Sequence, residues 1–113
     1  MNREKLLIAS GRKWLMLETC DIIFVEVIDH YVLIHDRKQV IKIRYSLEEI
    51  EELLKDSDFC RIHRSFLVSL RCVSQYSKNF VKLNDENETK LPIGSRYWDD
   101  FEKNISRFEA LPL

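Results

Sequence analysis

The sequence predicts a mainly β fold with two short helices, and three observations lead to this prediction. Most apolar segments are short and rich in β-branched and aromatic residues, as in residues 22–28, which is typical of strands. Polar turn segments separate them at short intervals. Because connections this short and local favour neighbouring strands that run in opposite directions, we expect antiparallel sheets.

The first half of the chain contains five predicted strands. A Ser10-Gly11 turn signal lies between the first two and predicts an opening hairpin. In the fifth strand every second residue from Ile41 to Tyr45 is apolar, which is the period of a half-buried strand. The five strands are predicted at residues 5–9, 12–17, 22–28, 31–35 and 40–45.

A short helix is predicted after the fifth strand, because the apolar period changes there. Ser46 and Glu49 stand three residues apart, as in the capping box that starts a helix. The apolar positions then follow at helical spacing with acidic residues between them, so one face should be buried and the other charged. These apolar positions are Leu47, Ile50, Leu53 and Leu54.

The second half contains five more predicted strands and a final helix. We expect Ser95 to cap this helix, with acidic residues in its first turns, where the helix dipole favours them. Both Trp14 and Trp98 are expected in the core. The apolar stripe of the helix consists of Trp98, Phe101, Ile105 and Phe108. The strands are predicted at residues 59–63, 66–70, 73–77, 80–84 and 89–93.

Composition indicates a single folded domain over residues 1–113. Hydrophobic residues make up 45% and charged residues 33% of the chain, a profile typical of soluble globular proteins. The apolar runs are too short to span a bilayer and no secretory signal is recognisable, so we expect a cytoplasmic protein without membrane contact. Cys20, Cys60 and Cys72 lack CxxC spacing, which favours buried thiols over a metal site, and no cofactor is expected.

An enzyme is not expected. The sequence has neither a Gly-rich phosphate loop nor a cluster of His, Cys and Asp at metal-ligand spacing. His63 and Ser65 are close in sequence, but this spacing alone does not supply a nucleophile, a base and an orienting group.

Charge is distributed unevenly along the chain, although the formal net charge is only −1. Residues 59–84 contain no acidic residue but several Lys and Arg, whereas residues 46–58 are strongly acidic. A domain that is neutral overall can present one positive face, because salt limits each patch to roughly 10 Å of reach. Ordinary solvated surface charge gives the same pattern, and this alternative stays open.

The segment 59–68, which reads F-C-R-I-H-R-S-F-L-V, places hydrogen-bond donors on an apolar base. Its apolar residues can anchor a turn in the core, while Arg61, His63, Arg64 and Ser65 point elsewhere. Arginine offers a planar fork to guanine or phosphate, and His and Ser add shorter donors. A surface turn whose arginine pairs with the acidic helix would look similar, so the residues alone leave both interpretations open.

This segment resembles the signature of the LytTR family of DNA-binding domains from bacterial transcription regulators. The similarity extends to the strand that begins at Asp21, to the helix at residues 46–54, and to Leu91-Pro92-Ile93 with the following Tyr97 helix, so it covers nearly all of residues 21–101. The resemblance implies an elongated stack of small antiparallel β-sheets. It also implies that loops, rather than a recognition helix, enter successive major grooves of DNA.

The resemblance further implies three regions of DNA contact: the loop before the fourth strand, the turn within residues 59–68, and the start of the final helix. The residues nominated in these regions are His30; Arg64, with His63 and Ser65 in support; and Arg96 or Ser95. Two positions depart from the family pattern. Ser69 stands where many members have Asn, and Gly94-Ser95 stands where they have Ser-Arg, which leaves the choice between Arg96 and Ser95 open.

The predicted function is sequence-specific binding of double-stranded DNA for transcription regulation. We expect Arg61, Lys78 and Lys82 to bind phosphates. One domain covers a small area of DNA, so two copies are expected to pair as a homodimer on direct repeats in a promoter. The resemblance implies a two-component response regulator in which a receiver domain precedes this one, or a stand-alone regulator. The alternative is a β-rich protein-interaction or ligand-sensing module without DNA binding.

Overall fold

A computed structural model describes residues 5–108 of the chain. These residues form an elongated molecule of 51 × 29 × 26 Å that is mainly β with two short α-helices, which confirms the predicted fold class. The strands are β1 (Lys5–Ser10), β2 (Lys13–Glu18), β3 (Ile22–Ile28), β4 (Tyr31–Asp36), β5 (Val40–Ile43), β6 (Phe59–His63), β7 (Phe66–Ser69), β8 (Val73–Tyr76), β9 (Phe80–Leu83) and β10 (Lys90–Pro92). The helices are α1 (Leu47–Leu53) and α2 (Trp98–Ile105), and 3₁₀ turns occupy Thr19–Asp21, Leu70–Cys72 and Ser95–Tyr97.

The strands form three antiparallel sheets. β1 pairs with β2, the central sheet has the order β5-β4-β3-β7-β6, and the third sheet has the order β10-β9-β8. Every strand pairing among residues 5–108 is antiparallel, as the short connections predicted. α1 packs against β3, β6 and β7, whereas α2 packs against β6 and the 3₁₀ turn that precedes it.

Two hydrophobic cores lie on opposite faces of the central sheet. In β7 the neighbouring residues Leu67 and Val68 belong to different cores, as the alternation of a strand requires. In β3 the register shifts between Ile22 and Phe24, and residues 22–25 are all buried in one core or the other. Both faces of the central sheet are therefore covered by apolar side chains.

The capping box predicted for the first helix is confirmed at α1. The Ser46 hydroxyl accepts the backbone N–H of Glu49 at 3.1 Å, and the Glu49 carboxylate accepts the backbone N–H of Ser46 at 2.9 Å. Leu47, Ile50 and Leu54 are buried beneath the helix. The acidic face of α1 is therefore directed outward, as predicted.

The start of the last helix differs from the sequence prediction. Ser95 does not cap it, because Ser95–Tyr97 form a 3₁₀ turn and α2 begins at Trp98 without a side-chain cap. The apolar stripe is confirmed: Phe101 is fully buried in the second core, and the other three members pack against that core. The extra turn leaves residues 95–96 outside α2, at the end of the third sheet.

Two further predictions about buried side chains are wrong. Trp14 is 69% exposed, because it pairs with Ala9 on the outer face of the β1–β2 hairpin rather than on the face that joins the core. Cys20 is exposed, whereas Cys60 and Cys72 are buried as expected. None of the helices within residues 5–108 has the length and apolar character needed to cross a membrane.

Candidate nucleic-acid interface

Two turns of the central sheet lie side by side. Residues 29–30 join β3 to β4, and residues 64–65 join β6 to β7. Since β3 pairs antiparallel with β7, both turns emerge at the same end of the sheet. The backbone N–H of Val27 donates to the carbonyl of Ser65 at 3.0 Å, so the two turns are direct neighbours.

Two further turns continue this row. The N–H of Gly94 donates to the carbonyl of Ile62 at 2.8 Å, which brings the turn Ser95–Tyr97 against the end of β6. The N–H of Ile93 donates to the carbonyl of Asn79 at 2.9 Å, which brings the β8–β9 turn beside it. Four turns thus lie next to one another at the same end of the central and third sheets. We call this row the contact edge; it consists of residues 29–30, 64–65, 78–79 and 95–96.

A β-bulge shapes the second turn of the contact edge. The register between β6 and β7 shifts between Arg61 and His63, so His63 lies opposite Phe66 and only residues 64–65 form the turn. The backbone N–H of Ser65 donates to Nδ1 of His63 at 3.1 Å. Because Nδ1 accepts this bond, the neutral imidazole carries its proton on Nε2, where it can donate to a ligand.

His63 favours this neutral form. Burial lowers the pKa of His63, and the positive charges of Arg64 and Arg61 lower it further. Protonation of Nδ1 would also displace the hydrogen bond from Ser65. At neutral pH the ring therefore acts as a neutral donor and acceptor rather than as a cation.

Cations project from three of the four turns of the contact edge. Arg64, Lys78 and Arg96 are exposed, and none of them forms an ion pair with another residue between positions 5 and 108. His30 and Ser95 are exposed as well. A ligand can therefore reach these groups without first displacing an internal acid. Such a row of cations and neutral donors suits a phosphate backbone with base edges beside it.

A family model described as the LytTr DNA-binding domain matches residues 12–106. The match covers most of the chain and all four turns of the contact edge. The chain belongs to the LytTr family. Its function is accordingly DNA binding, and the family is a DNA-binding family rather than an enzyme family.

Two relatives and one solved structure agree with this assignment. The chain is 28% identical over 104 residues to the sensory transduction protein LytT of Bacillus subtilis, and 28% identical over 96 residues to that of Oceanobacillus iheyensis. These alignments cover 89% and 80% of this chain but only 43% and 39% of the relatives, so the chain spans less than half of their length.

The solved structure is the LytTr DNA-binding domain of a putative methyl-accepting/DNA response regulator from Bacillus cereus. It matches with a TM-score of 0.73 and 21% identity, over 92% of this chain and 98% of that one, which confirms the fold.

An open cleft of about 480 Å³ adjoins the contact edge of this LytTr domain. His30 and Arg64 both line it, so the two side chains face a common space. Arg44 lines it too, with its guanidinium carbon 5.6 Å from the centre of the Tyr31 ring. Arg44 was not among the contact residues predicted from the sequence. Its signal was present, because the alternation of the fifth strand directs it outward and antiparallel pairing with β4 brings it beside the turn of residues 29–30.

Arg61 occupies a different position from the one expected of a phosphate-binding residue. Its side chain is only 12% exposed, and all three guanidinium nitrogens are used within the LytTr domain. Nε donates to the carbonyl of His63 at 2.8 Å, and Nη2 donates to the carbonyl of Arg64. Nη1 lies 3.1 Å from a carboxylate oxygen of Glu48 and 3.2 Å from one of Glu51. Pairing with the acidic helix, the alternative left open by the sequence, thus describes Arg61.

Two other cations of residues 59–84 are also paired with acids. Lys82 forms an ion pair of 3.1 Å with Glu88, which belongs to the loop at the opposite end of the third sheet, and its side chain is 29% exposed. Arg71 forms one of 2.9 Å with Asp58. Folding therefore brings acids from outside this stretch against its cations, and the position of Lys82 does not support the predicted phosphate contact.

The acidic and thiol groups do not combine into a metal centre. Within the described residues, no group of three or more His, Cys, Asp or Glu side chains is arranged to hold a metal ion. Burial, followed by the negative charge of Asp100, raises the pKa of the Cys60 thiol to about 12. This thiol is therefore protonated at neutral pH and is a poor nucleophile and ligand.

Proposed function

We propose that this LytTr domain binds duplex DNA in a sequence-specific way through the contact edge. The observation that carries the proposal is the row of neighbouring turns, in which Arg64, Lys78 and Arg96 are exposed and have no ion-pair partner among residues 5–108. A row of short turns on a rigid β scaffold can follow a DNA groove without a recognition helix. The contact edge supplies both charge for phosphates and directional donors for bases.

Each turn has a proposed role. Arg64 reads a guanine through its planar guanidinium, because its side chain is exposed. The turn that carries it is held by backbone hydrogen bonds from Val27 to Ser65 and from Gly94 to Ile62. His30 faces the same cleft and contacts a neighbouring base or phosphate. His63 and Ser65 support the contact made by Arg64, and Nε2 of His63 is the hydrogen-bond donor. Lys78 binds a phosphate. In the last turn Arg96 takes the groove contact and Ser95 assists, since the 3₁₀ turn exposes both.

We also propose that this domain is part of a larger regulator. Because the chain spans less than half of its curated relatives, we infer that residues 1–113 form one output domain. A receiver domain of a two-component system would then control it from outside this segment. We further infer that two copies bind direct repeats as a homodimer, since a single module of this size covers a small DNA area. Such a regulator acts where the bacterial chromosome lies, in the cytoplasm.

Selection from a random duplex pool tests the proposal. The bound fraction should converge on one sequence, and binding to that duplex should weaken steeply with salt, with a log–log slope of about −0.9 for each phosphate neutralised. A shuffled duplex of the same composition should bind more weakly at every salt concentration. A pool that does not converge, together with no salt-dependent binding, would instead favour the protein-interaction module.

A further inference from the structure

The second turn of the contact edge is held by two kinds of contact: the backbone hydrogen bond from Val27, and hydrogen bonds from the side chain of Arg61. Residues 64–65 form a two-residue turn closed by the His63–Phe66 pair, and a bulge between Arg61 and His63 interrupts the ladder of β6 and β7 just before that pair. The direction in which Arg64 points depends on the orientation of the two peptide groups that follow His63 and Arg64. Both carbonyls of these peptide groups are bound by the guanidinium of Arg61.

Arg61 links three elements that surround this turn. Its Nε and Nη2 hold the two turn carbonyls, and its Nη1 lies between the carboxylates of Glu48 and Glu51 on α1. Its guanidinium carbon also lies 5.9 Å from the centre of the Tyr97 ring, in the 3₁₀ turn that carries the last contact region. The Arg61 side chain therefore contacts α1, the turn of residues 64–65 and the turn Ser95–Tyr97.

The charges around Arg61 explain why it stays in this position. A guanidinium that is largely removed from water is stable only when its charge and its N–H groups are satisfied. Glu48 and Glu51 supply the charge, and their own side chains remain 72% and 44% exposed, so the carboxylates keep part of their hydration. Lysine cannot replace this arrangement, since an ammonium group is a point charge without the planar fork that reaches several acceptors at once.

We propose that Arg61 is a positioning residue of the DNA interface, held by Glu48 and Glu51, and that it sets the direction in which Arg64 and His63 meet the bases. This inference rests on the proposed function of the contact edge. It gives two acidic residues of α1 a supporting role in DNA recognition. Simple electrostatics predicts the reverse, because negative charge near DNA weakens binding.

Arg61→Lys separates positioning from phosphate binding. A phosphate contact needs a positive charge, which lysine keeps, so a phosphate-binding Arg61 would tolerate the change. A positioning Arg61 would not. We expect the preference for the selected duplex over the shuffled duplex to fall by about tenfold or more, while binding to the shuffled duplex stays within about twofold and its salt slope is unchanged. Retention of the full preference would overturn the inference.

The double change Glu48→Gln with Glu51→Gln tests the same support from the other side. Removal of two acids should leave binding to the shuffled duplex equal or stronger, yet we expect the preference for the selected duplex to fall. Glu52→Gln is the control on the same helix, since Glu52 pairs with Lys55 at 2.8 Å. Equal changes on both duplexes, or the same result in the control, would contradict the role of Arg61.

The outcomes for the inference and for the proposed function are distinguishable. If the unmodified protein shows no preference between the two duplexes, the proposed function itself fails. If it shows a preference that survives in both variants, only the positioning role fails. Thermal unfolding followed by circular dichroism shows whether each variant is folded. Should Arg61→Lys not fold, the doubly substituted glutamine variant decides the question, because its side chains have nearly the same shape as those they replace.

Discussion

Arg64→Ala should abolish much of the sequence preference of this domain without changing its stability. The Arg64 side chain is exposed and has no ion-pair partner within residues 5–108, so its removal breaks little inside the folded protein. Its backbone carbonyl, which Arg61 binds, remains in place. The free energy of unfolding should therefore change by no more than about 0.5 kcal/mol.

The expected loss of DNA affinity follows from the contact that is removed. A side chain that forms bidentate hydrogen bonds with one base contributes about 1–3 kcal/mol to binding of the correct site. This corresponds to a roughly 5- to 150-fold increase in Kd. The shuffled duplex should lose much less affinity, because the correct base is absent from it and only the general attraction of the charge remains.

Arg71→Ala is the matched control for this change. Arg71 is also an exposed arginine, but it pairs with Asp58 beyond the far end of β7. The four residues of β7, at about 3.3 Å per extended residue, separate Arg71 from the contact edge by roughly 13 Å, which exceeds the Debye length of about 8 Å in physiological salt. The control should reduce affinity by less than about twofold for either duplex.

Fluorescence anisotropy with both duplexes, repeated at several salt concentrations, measures these effects. We expect Arg64→Ala, but not Arg71→Ala, to lose much of its affinity for the selected duplex. The preference for one base at one position of the selected site should also be relaxed. If Arg64→Ala retains the affinity and the preference, or if Arg71→Ala has the same effect, the assignment of Arg64 as a reading residue is wrong.

Three further predictions concern stability and reactivity. Ser46→Ala should lower the free energy of unfolding by about 1 kcal/mol in urea titrations, since the N–H of Glu49 loses its acceptor; a loss near zero would show that the capping box is not needed. Because the pKa of His63 is lowered on folding, the unfolded state binds its proton more readily, so stability should fall as pH drops below 6.5. His63→Gln should lack this part of the pH dependence, and an identical pH profile would refute it. In the folded protein iodoacetamide should modify Cys20 but not Cys60, whose pKa is about 12; mass spectrometry that finds both modified would contradict the burial of Cys60.

Local patterns predicted most of the secondary structure. β3 was predicted at residues 22–28 and is observed at the same positions, because a dense β-branched run between polar turns leaves few alternatives. The start of α1 was equally clear, since Ser46 and Glu49 satisfy each other within one turn. Both signals depend only on residues close in sequence.

Side-chain partners across the fold could not be predicted in the same way. Arg61 pairs with Glu48 and Glu51 because α1 packs beside β6, and no local sequence pattern predicts that packing. The exposure of Trp14 has a similar cause. Its alternation with Leu15 predicts opposite faces of a strand, but which face joins the core depends on where the hairpin docks.

The contact edge was predicted in part. His30 and Arg64 were nominated through the family resemblance, and the structure places them in walls of the same cleft. The nearness of residues 78–79 to the turn at residues 95–96 follows from the pairing of β9 with β10 and from the backbone bond between Ile93 and Asn79, which local sequence patterns do not specify. Whether these side chains contact DNA stays a prediction.

Amide chemical shifts of the isotope-labelled protein, recorded as the selected duplex is added, test the central claim most directly. The loops at the opposite ends of the central and third sheets, residues 37–39 and 84–89, serve as an internal reference. We expect the largest shifts at residues 29–30, 64–65, 78–79 and 95–96, with little change in the reference loops. Large shifts in those loops and unchanged signals along the contact edge would contradict the account.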